Sequence, residues 1–298
     1  MSHQLAEKDM NETRMLYHSK DSLLHPIPTF PGTPALGLGR YSSKVISFLY
    51  KGALALAFPV FALVVWDGLV RYEFVPRQIL PAPQQVGATL IDLLHSGELA
   101  LHLRISLWRV VQGFVLGGVS GFVLGIAMGL SRTVEAYVTP LFKAFSSVPL
   151  LGWVPLIILL AGIGEAMKIL IIAKACFTPL VLNTLEGIRN TPKAYIEVAS
   201  VFQFPRHALL RKVVLPAALP SVFSGISLAL GNAWIALVAV ELLASSEGIG
   251  FMLVWGRQLF QMDVVFAAMI AIGVVGLVLT QATKLLETSL SRWRREAL

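Results

Sequence analysis

The sequence predicts an all-α integral membrane protein with about six transmembrane helices, and three observations predict it. Hydrophobic residues make up 56% of the 298 residues and charged residues only 14%, whereas a soluble domain carries about a quarter charged residues. The apolar residues are gathered into long stretches, and about 20 of them suffice for a helix to cross the hydrocarbon core. The basic residues behind the net charge of +7 flank these stretches, which indicates a membrane surface and argues against nucleic acid as a partner.

Six apolar stretches are the predicted spans. The first contains Pro59, which can kink a membrane helix. The third is interrupted by Pro140, Pro149, Gly152 and Pro155. The predicted spans cover about residues 45–70, 105–130, 137–161, 167–187, 213–243 and 264–286.

Residues 71–104 form a long loop between the first two predicted spans. Pro83 in this loop is followed by apolar residues at helical spacing, which predicts a short amphipathic helix lying at the outer surface of the membrane. These apolar residues are Val86, Leu90, Leu93 and Leu94.

The lysines and arginines orient the spans. Six spans place both termini on one side, and 16 of the 24 Lys and Arg residues then fall on that side, against five on the other. Because cytoplasmic loops carry an excess of Lys and Arg, both termini and the loop at 188–212 are predicted to be cytoplasmic. Residues 1–44 are then a disordered cytoplasmic tail, residues 45–290 the transmembrane domain, and residues 291–298 a basic cytoplasmic C-terminus.

Glycine recurs at every fourth residue along the second predicted span. On a helix this spacing makes a smooth stripe, and in a bilayer small residues let two backbones approach closely. The stripe therefore predicts a helix contact, either within the chain or between two subunits. Its members are Gly113, Gly117, Gly121, Gly125 and Gly129.

The cytoplasmic segment 191–220 is predicted to form a short helix that projects from a bundle. Thr191 is the predicted N-cap, and Pro192 suits the first helical turn. Pro205 ends this helix, and a second, basic helix leads to Leu215-Pro216 at the membrane. The apolar face of the first helix consists of Tyr195, Val198, Ala199 and Phe202. Such a helix suits docking into the groove of a partner, or it is an ordinary loop helix on the bilayer.

This segment resembles the EAA loop of the permease subunits of bacterial ABC importers. The loop pattern is Glu-Ala-Ala, three residues, Gly, and a run that ends in Leu-Pro. Glu197, Ala199, Leu215 and Pro216 match it, and Val198 replaces the first Ala. Gln203 stands where the family usually has Gly. Because Gln tolerates positive φ poorly, the sequence leaves this turn open, with Pro205 as a candidate for enforcing a different one.

The resemblance extends over about residues 80–295 and indicates the subgroup that imports nitrate, taurine, alkanesulfonates and bicarbonate. Four motifs carry it: Ser147-Val-Pro-Leu-Leu-Gly-Trp-Val-Pro155, Gly162-Ile-Gly-Glu165, Ala239-Val-Glu241 and Gly248-Ile-Gly250. The resemblance implies a type I importer permease in the bacterial inner membrane that acts as a homodimer. It further implies two ATPase subunits and a periplasmic or extracellular binding protein as partners.

In this family each permease docks its loop into a groove of an ATPase subunit. The resemblance therefore implies a set of ATPase-coupling residues: Glu197, Ala199, Phe202, Gln203, Pro205, Leu215 and Pro216. The chain has no Gly-x-x-x-x-Gly-Lys-Ser/Thr loop to cradle phosphates. ATP and Mg are therefore expected in the partner subunit, and this chain is expected to bind no cofactor or metal and to be no enzyme.

Two rival functions come from other classes. A secondary transporter without an ATPase would need a coupling-ion site, usually several acidic groups or unwound carbonyls near the midplane. A membrane-embedded enzyme would need catalytic side chains that face one another within the spans. The predicted spans lack both kinds of cluster, since Glu241 and Lys174 are the only near candidates.

The candidates for the substrate pathway are Lys174, Glu241, Asn232 and Trp153, because buried ionisable and polar groups in spans are costly and often functional. Lys174 either pairs with a buried carboxylate, for which Glu241 is the nearest choice, or offers positive charge to an anion, or snorkels. The resemblance implies a small anionic solute, although relatives with similar motifs carry neutral or aromatic compounds.

Overall fold

The structure, a computed structural model, describes residues 57–290, and all regular structure within that range is helical. The chain divides into two units after Ala62, and only residues 57–62 of the first unit are described. The predictions for the 1–44 tail, for the start of the first span and for the 291–298 C-terminus lie outside the described residues.

Ten helices of eight or more residues lie within the described part of the chain. They are α1 (57–71), α2 (Pro83–His95), α3 (Glu98–Leu130), α4 (Arg132–Ser147), α5 (Val154–Ala161), α6 (Glu165–Arg189), α7 (Lys193–Val201), α8 (Leu215–Ala244), α9 (Ile249–Gln258) and α10 (Met262–Leu290). A 3₁₀ turn at Leu150–Trp153 precedes α5. A short α-helical turn at Arg206–Leu209 and a π-helical turn at Leu210–Val214 lead into α8.

Three helical runs in the described part of the chain are long and apolar enough to cross a membrane: Glu98–Leu130, His207–Gln258 and Met262–Leu285. The pair Arg132–Ser147 and Leu150–Ala161 meets the same test only when taken together, and it is bent by 97°. The predicted all-α membrane fold is confirmed, while the count of six spans stays a prediction.

The bend in the predicted third span lies at Val148-Pro149. Val148 has φ −76° and ψ 121°, which is extended backbone, because a proline disfavours the α conformation in the residue before it. Pro140 lies inside α4 without ending it. Of the four residues expected to interrupt this span, Pro149 therefore lies directly at the break.

Helix α6 lies at the centre of the bundle, packed along α3 on one side and α8 on the other. Its core side chains are almost fully buried, among them Met167, Ile171, Ile172, Cys176 and Val181. A helix that contacts mainly protein need not be apolar all round, and α6 carries charged residues that an isolated span could not hold. Helix α6 extends beyond the predicted fourth span, 167–187, at both ends.

The glycine stripe of α3 faces α6 within the same chain, which is the first of its two predicted interpretations. A Cβ atom at Gly117 would lie 1.9 Å from the carbonyl oxygen of Ala173. A Cβ atom at Gly121 would lie 2.7 Å from the carbonyl oxygen of Phe177. The other members, Gly113, Gly125 and Gly129, face Ile172, Thr184 and Ile188. The two helices approach so closely that side chains on the stripe would overlap the neighbouring helix.

Helix α2 forms where the sequence predicts it, but it belongs to the bundle. Val86 and Leu93 are buried in the main core, and α2 packs against α10. The indole Nε1 of Trp66 donates a hydrogen bond of 3.0 Å to the carbonyl oxygen of Pro81, just before this helix. The predicted helix is therefore confirmed, and Val86 and Leu93 of its apolar face contact protein while Leu94 is exposed; its position at the outer membrane surface stays a prediction.

Candidate functional site

Helix α7 ends in a Schellman motif, and Gln203 occupies its left-handed position. The amide of Gln203 donates to the carbonyl of Ser200 at 2.9 Å, and the amide of Phe204 donates to the carbonyl of Ala199 at 3.1 Å. Gln203 has φ 52°, the conformation for which glycine is preferred at this position. Gln203 therefore makes the turn that the usual glycine would make, and Pro205 does not enforce a different one.

The start of α7 differs from the prediction by one residue. The N-cap is Pro192, which makes no side-chain capping bond, and the helix begins at Lys193. The Thr191 hydroxyl instead donates to the carbonyl of Gly187, at 3.5 Å. Thr191 thus contacts the end of α6 rather than capping α7, so its predicted N-cap role is wrong.

Helix α7 exposes most of its predicted apolar face. Ala199 is buried, but Tyr195 and Val198 are each 57% exposed and Phe202 is 71% exposed. These side chains line a groove of about 500 Å³ together with Phe204, Lys212, Val213, Pro216 and Ala217. The groove joins α7 to the first turn of α8, where Pro216 lies. Glu197 lies on α7 and is exposed.

A second site is a cavity of about 450 Å³ between α4, α6 and α8, and Lys174 and Asn232 both line it. The Nζ atom of Lys174 donates to the carbonyl of Val148 at 3.0 Å. It also lies 5.5 Å from the ring centre of Phe145 and 5.7 Å from that of Trp153. The structure therefore brings together three of the four predicted pathway residues.

Glu241, the fourth pathway candidate, lies in a different place. Its Oε1 atom is 2.7 Å from Nη1 of Arg109, and its two oxygens also accept from the Ser106 hydroxyl at 2.8 and 2.9 Å. Within the described residues, Lys174 forms no ion pair with a carboxylate. Of the three alternatives for Lys174, the pairing with Glu241 is therefore wrong, because Arg109 binds Glu241 instead.

Arg109 is the centre of this buried cluster. Its Nε and Nη2 atoms form two hydrogen bonds of 2.7 Å with the Glu165 carboxylate, a bidentate arrangement that favours arginine over lysine. Lys168 donates to the same carboxylate at 2.7 Å. The guanidinium also donates to the carbonyl of Glu247 at 2.7 Å. The cluster joins α3, α6, α8 and the loop before α9.

Two glycines let this loop close over Glu241. A Cβ atom at Gly248 would lie 2.2 Å from Oε1 of Glu241, and one at Gly250 would lie 2.6 Å from its Cβ. The amide of Gly250 donates to Oε2 of Glu241 at 2.9 Å. The motifs Gly162–Glu165, Ala239–Glu241 and Gly248–Gly250 thus meet at one cluster. The sequence indicated Arg109 as a charged residue within an apolar span, but it did not indicate which residues Arg109 contacts.

Residues 121–295 match the family described as the binding-protein-dependent transport system inner membrane component. The chain belongs to this family. The match includes α7, the cavity that contains Lys174, and Glu241.

Relatives of this transport-system component cover most of the chain. The aliphatic sulfonates transport permease protein SsuC of Bacillus subtilis is 41% identical over 82% of this chain and 89% of its own length. The SsuC protein of Escherichia coli is 36% identical over 79% of this chain and 89% of its own length. The taurine transport system permease protein TauC of Escherichia coli is 33% identical over 78% of this chain and 87% of its own length.

A solved structure shares the fold of this inner membrane component. A chain of the MetNI methionine ABC transporter, in an inward-facing conformation, superposes with a TM-score of 0.51 at 17% identity. The superposition covers 62% of the present chain and 94% of that chain. The present chain therefore shares the fold of that transporter chain. The family match and the long apolar helices show that it is a multi-pass membrane protein.

Proposed function

We propose that the chain is the permease subunit of an ATP-driven importer, with α7 docked in a groove of an ATPase subunit. The observation that carries this proposal is the exposure of the apolar face of α7. Tyr195, Val198 and Phe202 are each more than half exposed on a short helix that projects from the bundle. An amphipathic helix with exposed apolar anchors at this spacing suits helix-in-groove recognition.

Two copies of the chain would enclose the pathway, with ATP and Mg bound by two ATPase subunits. Both termini and α7 would then lie on the cytoplasmic side, in agreement with the basic residues Arg211 and Lys212 next to α8. A soluble binding protein would deliver the solute from the opposite side. The relatives are named for aliphatic sulfonates and taurine, which supports a small sulfonate-type anion as the solute.

The path from α7 to the spans is short and ordered. The Schellman motif at Gln203 fixes the end of α7, and the π-helical turn Leu210–Val214 leads directly into α8 at Leu215-Pro216. Closure of the ATPase pair on ATP would displace α7, and this displacement would reach α8 through that turn. Alternating access requires two states with different exposure of the solute site, and ATP would shift the balance between them.

A secondary transporter has less support from the geometry. It would need an acidic group able to take up a coupling ion near the midplane. Glu241, the acidic candidate in the spans, is already bound by Arg109, Ser106 and the amide of Gly250. A permease for a neutral or aromatic solute remains the alternative on the substrate side, and uptake assays with such solutes would distinguish it.

The test is co-purification of this chain with its ATPase, followed by ATP hydrolysis in lipid. Phe202→Asp and Glu197→Arg should dissociate the ATPase or abolish ATP hydrolysis stimulated by the binding protein. Phe260→Asp is the matched control for co-purification of the ATPase, because Phe260 is 81% exposed, lies in the turn between α9 and α10, far along the chain from α7, and has φ 58°, which Asp tolerates. Normal assembly and hydrolysis by both α7 variants would overturn the docking role.

A further inference from the structure

We propose that the cavity around Lys174 binds the sulfonate group of the transported solute, a proposal that rests on the importer function above. The cavity has a volume of about 450 Å³, within the range of about 300–1,000 Å³ found for small-molecule sites. Three helices contribute polar side chains to its wall. These polar side chains are Ser146 of α4, Lys174, Thr178 and Asn183 of α6, and Asn232 of α8.

Lys174 gives this cavity a positive charge that no described carboxylate neutralises. Of the three donors of the ammonium, one is used by the carbonyl of Val148. The rings of Phe145 and Trp153 lie within 6 Å of Nζ and stabilise the cation through their electron-rich faces. The ammonium is thus held in place with donors left for an anion.

Further donors near Lys174 have no partner within the described part of the chain. The hydroxyl of Ser146 and the indole Nε1 of Trp153 are buried without a hydrogen bond. Because an unsatisfied buried donor is costly, such groups usually have a partner in the working protein. A sulfonate offers three acceptor oxygens in a pyramidal array, and the Lys174 ammonium and the Asn232 amide, which both line the cavity, are donors for them.

The position of Lys174 favours the solute pathway over the lipid. Lys174 lies about 14 Å from the start of α6, a helix about 38 Å long, and therefore far from both ends. Asn232 and Ile235 of α8 are exposed on the open side of the cavity. A lysine and an asparagine at such depth face a water-filled space or another subunit, because lipid would not solvate them.

The same cavity has an apolar part that suits an alkyl tail. Leu150, Leu182, Leu228 and Ile235 line it beside the polar group. An alkanesulfonate would place its charged head at Lys174 and its carbon chain against these residues. The cavity therefore favours alkanesulfonates over inorganic anions such as nitrate or bicarbonate, which have no apolar part.

The experiment uses the whole complex, with ATPase and binding protein, in proteoliposomes, and radiolabelled ethanesulfonate as the probe. Lys174→Met should lower maximal uptake roughly tenfold or more, the loss expected for one charge-assisted interaction. Lys174→Arg keeps the charge and should retain part of the uptake. Lys143→Met is the matched control, because Lys143 is exposed on α4 and outside the cavity, and it should transport normally.

Assembly and ATP hydrolysis of each variant are measured in the same preparations. Loss of uptake by an assembled Lys174→Met complex that still hydrolyses ATP supports the site. If that variant does not assemble, Asn232→Ala provides the test, and reduced ethanesulfonate uptake is expected. Normal uptake by an assembled Lys174→Met or Asn232→Ala complex overturns the site and leaves the importer function standing. Absence of ethanesulfonate uptake by an ATP-hydrolysing unmodified complex overturns the solute class, and this inference with it.

Discussion

The Nη1 atom of Arg109 lies 2.7 Å from Oε1 of Glu241, and the two side chains are only 2% and 0% exposed. The pair joins α3 to α8, and Glu165 and Lys168 extend it to α6. Oε1 of Glu247, whose side chain is 52% exposed, lies 3.9 Å from Nη2 of Arg109, so the cluster contains two positive and three negative groups. A buried ion pair is tolerated when its remaining polar atoms also have partners, as they do here.

Loss of Arg109 should strongly destabilise the bundle. Arg109→Met removes the cation from Glu241 and leaves a buried carboxylate without its partner, at a cost of about 3–5 kcal/mol. The apparent melting temperature in detergent, followed by size-exclusion chromatography after heating, should therefore fall clearly. The melting temperature of Arg109→Lys should lie between those of the unmodified chain and Arg109→Met, because a single ammonium cannot reproduce the bidentate contact with Glu165.

Arg104→Met provides the control for this prediction. Arg104 lies on the same helix, five residues earlier, and is exposed. No ion pair of Arg104 exists within the described chain. Its substitution should leave the melting temperature close to that of the unmodified chain. Equal melting temperatures for the Arg109→Met and Arg104→Met variants would show that the buried cluster contributes little to stability.

The glycine stripe gives a prediction from two adjacent residues. Gly117→Ala should destabilise the contact between α3 and α6, because the new methyl group would meet the backbone of Ala173 at 1.9 Å. Overpacking of this kind costs about 1–3 kcal/mol, or more where backbone must move. Gly118→Ala should be tolerated, since its nearest neighbour is the end of the Leu180 side chain at 3.3 Å. Melting temperatures that fall equally for both would contradict the close approach.

The sequence predicted local features well and distant contacts poorly. The stripe of α3 and the apolar face of α7 follow from residue spacing along one helix, which the sequence displays directly. The partners of Arg109 are 56 and 132 residues away, so no local pattern could show that Glu165 and Glu241 reach it. For the same reason the sequence left open whether Lys174 pairs with Glu241. The shared cavity of Lys174 and Asn232 likewise depends on how α6 packs on α8.

Gln203 shows a different limit of sequence reasoning. Its side chain disfavours positive φ, and yet the two Schellman hydrogen bonds hold it at φ 52°. The left-handed conformation costs a non-glycine residue about 1–2 kcal/mol, which the neighbouring contacts offset. One such contact is between Lys212 and the ring of Phe204, whose centre lies 5.9 Å from Nζ.

Substitutions of Gln203 should therefore rank by their tolerance of positive φ. Gln203→Gly and Gln203→Asn should keep ATPase docking and stimulated ATP hydrolysis, because both residues adopt this conformation readily. Gln203→Val should weaken both, because a β-branched residue is strained there. Binding of the ATPase to detergent-solubilised variants gives the ranking. Equal binding by the Val and Gly variants would show that the turn does not set the position of α7.

Cysteine labelling tests whether the Lys174 cavity contains water while Lys174 itself is kept. The native thiol, Cys176, is 0% exposed and should not react in the folded complex, so the background is low. Asn232→Cys should react with sulfonatoethyl methanethiosulfonate, an anionic, water-soluble reagent, because the cavity is predicted to be aqueous and Lys174 attracts the reagent. Ethanesulfonate should slow this labelling by occupying the site.

Val123→Cys is the matched control for labelling. Val123 is 59% exposed on α3, on a face with Val115 and Val119 that has the apolar character of a lipid-facing surface. A thiol in lipid is not ionised and does not meet a charged reagent, so Val123→Cys should stay unlabelled. Labelling of Asn232→Cys in the combined Lys174→Met background should be slower, since the positive charge is gone. An unreactive thiol at position 232, in a complex that transports ethanesulfonate, would mean that this face of α8 is closed to water and that the solute follows another route.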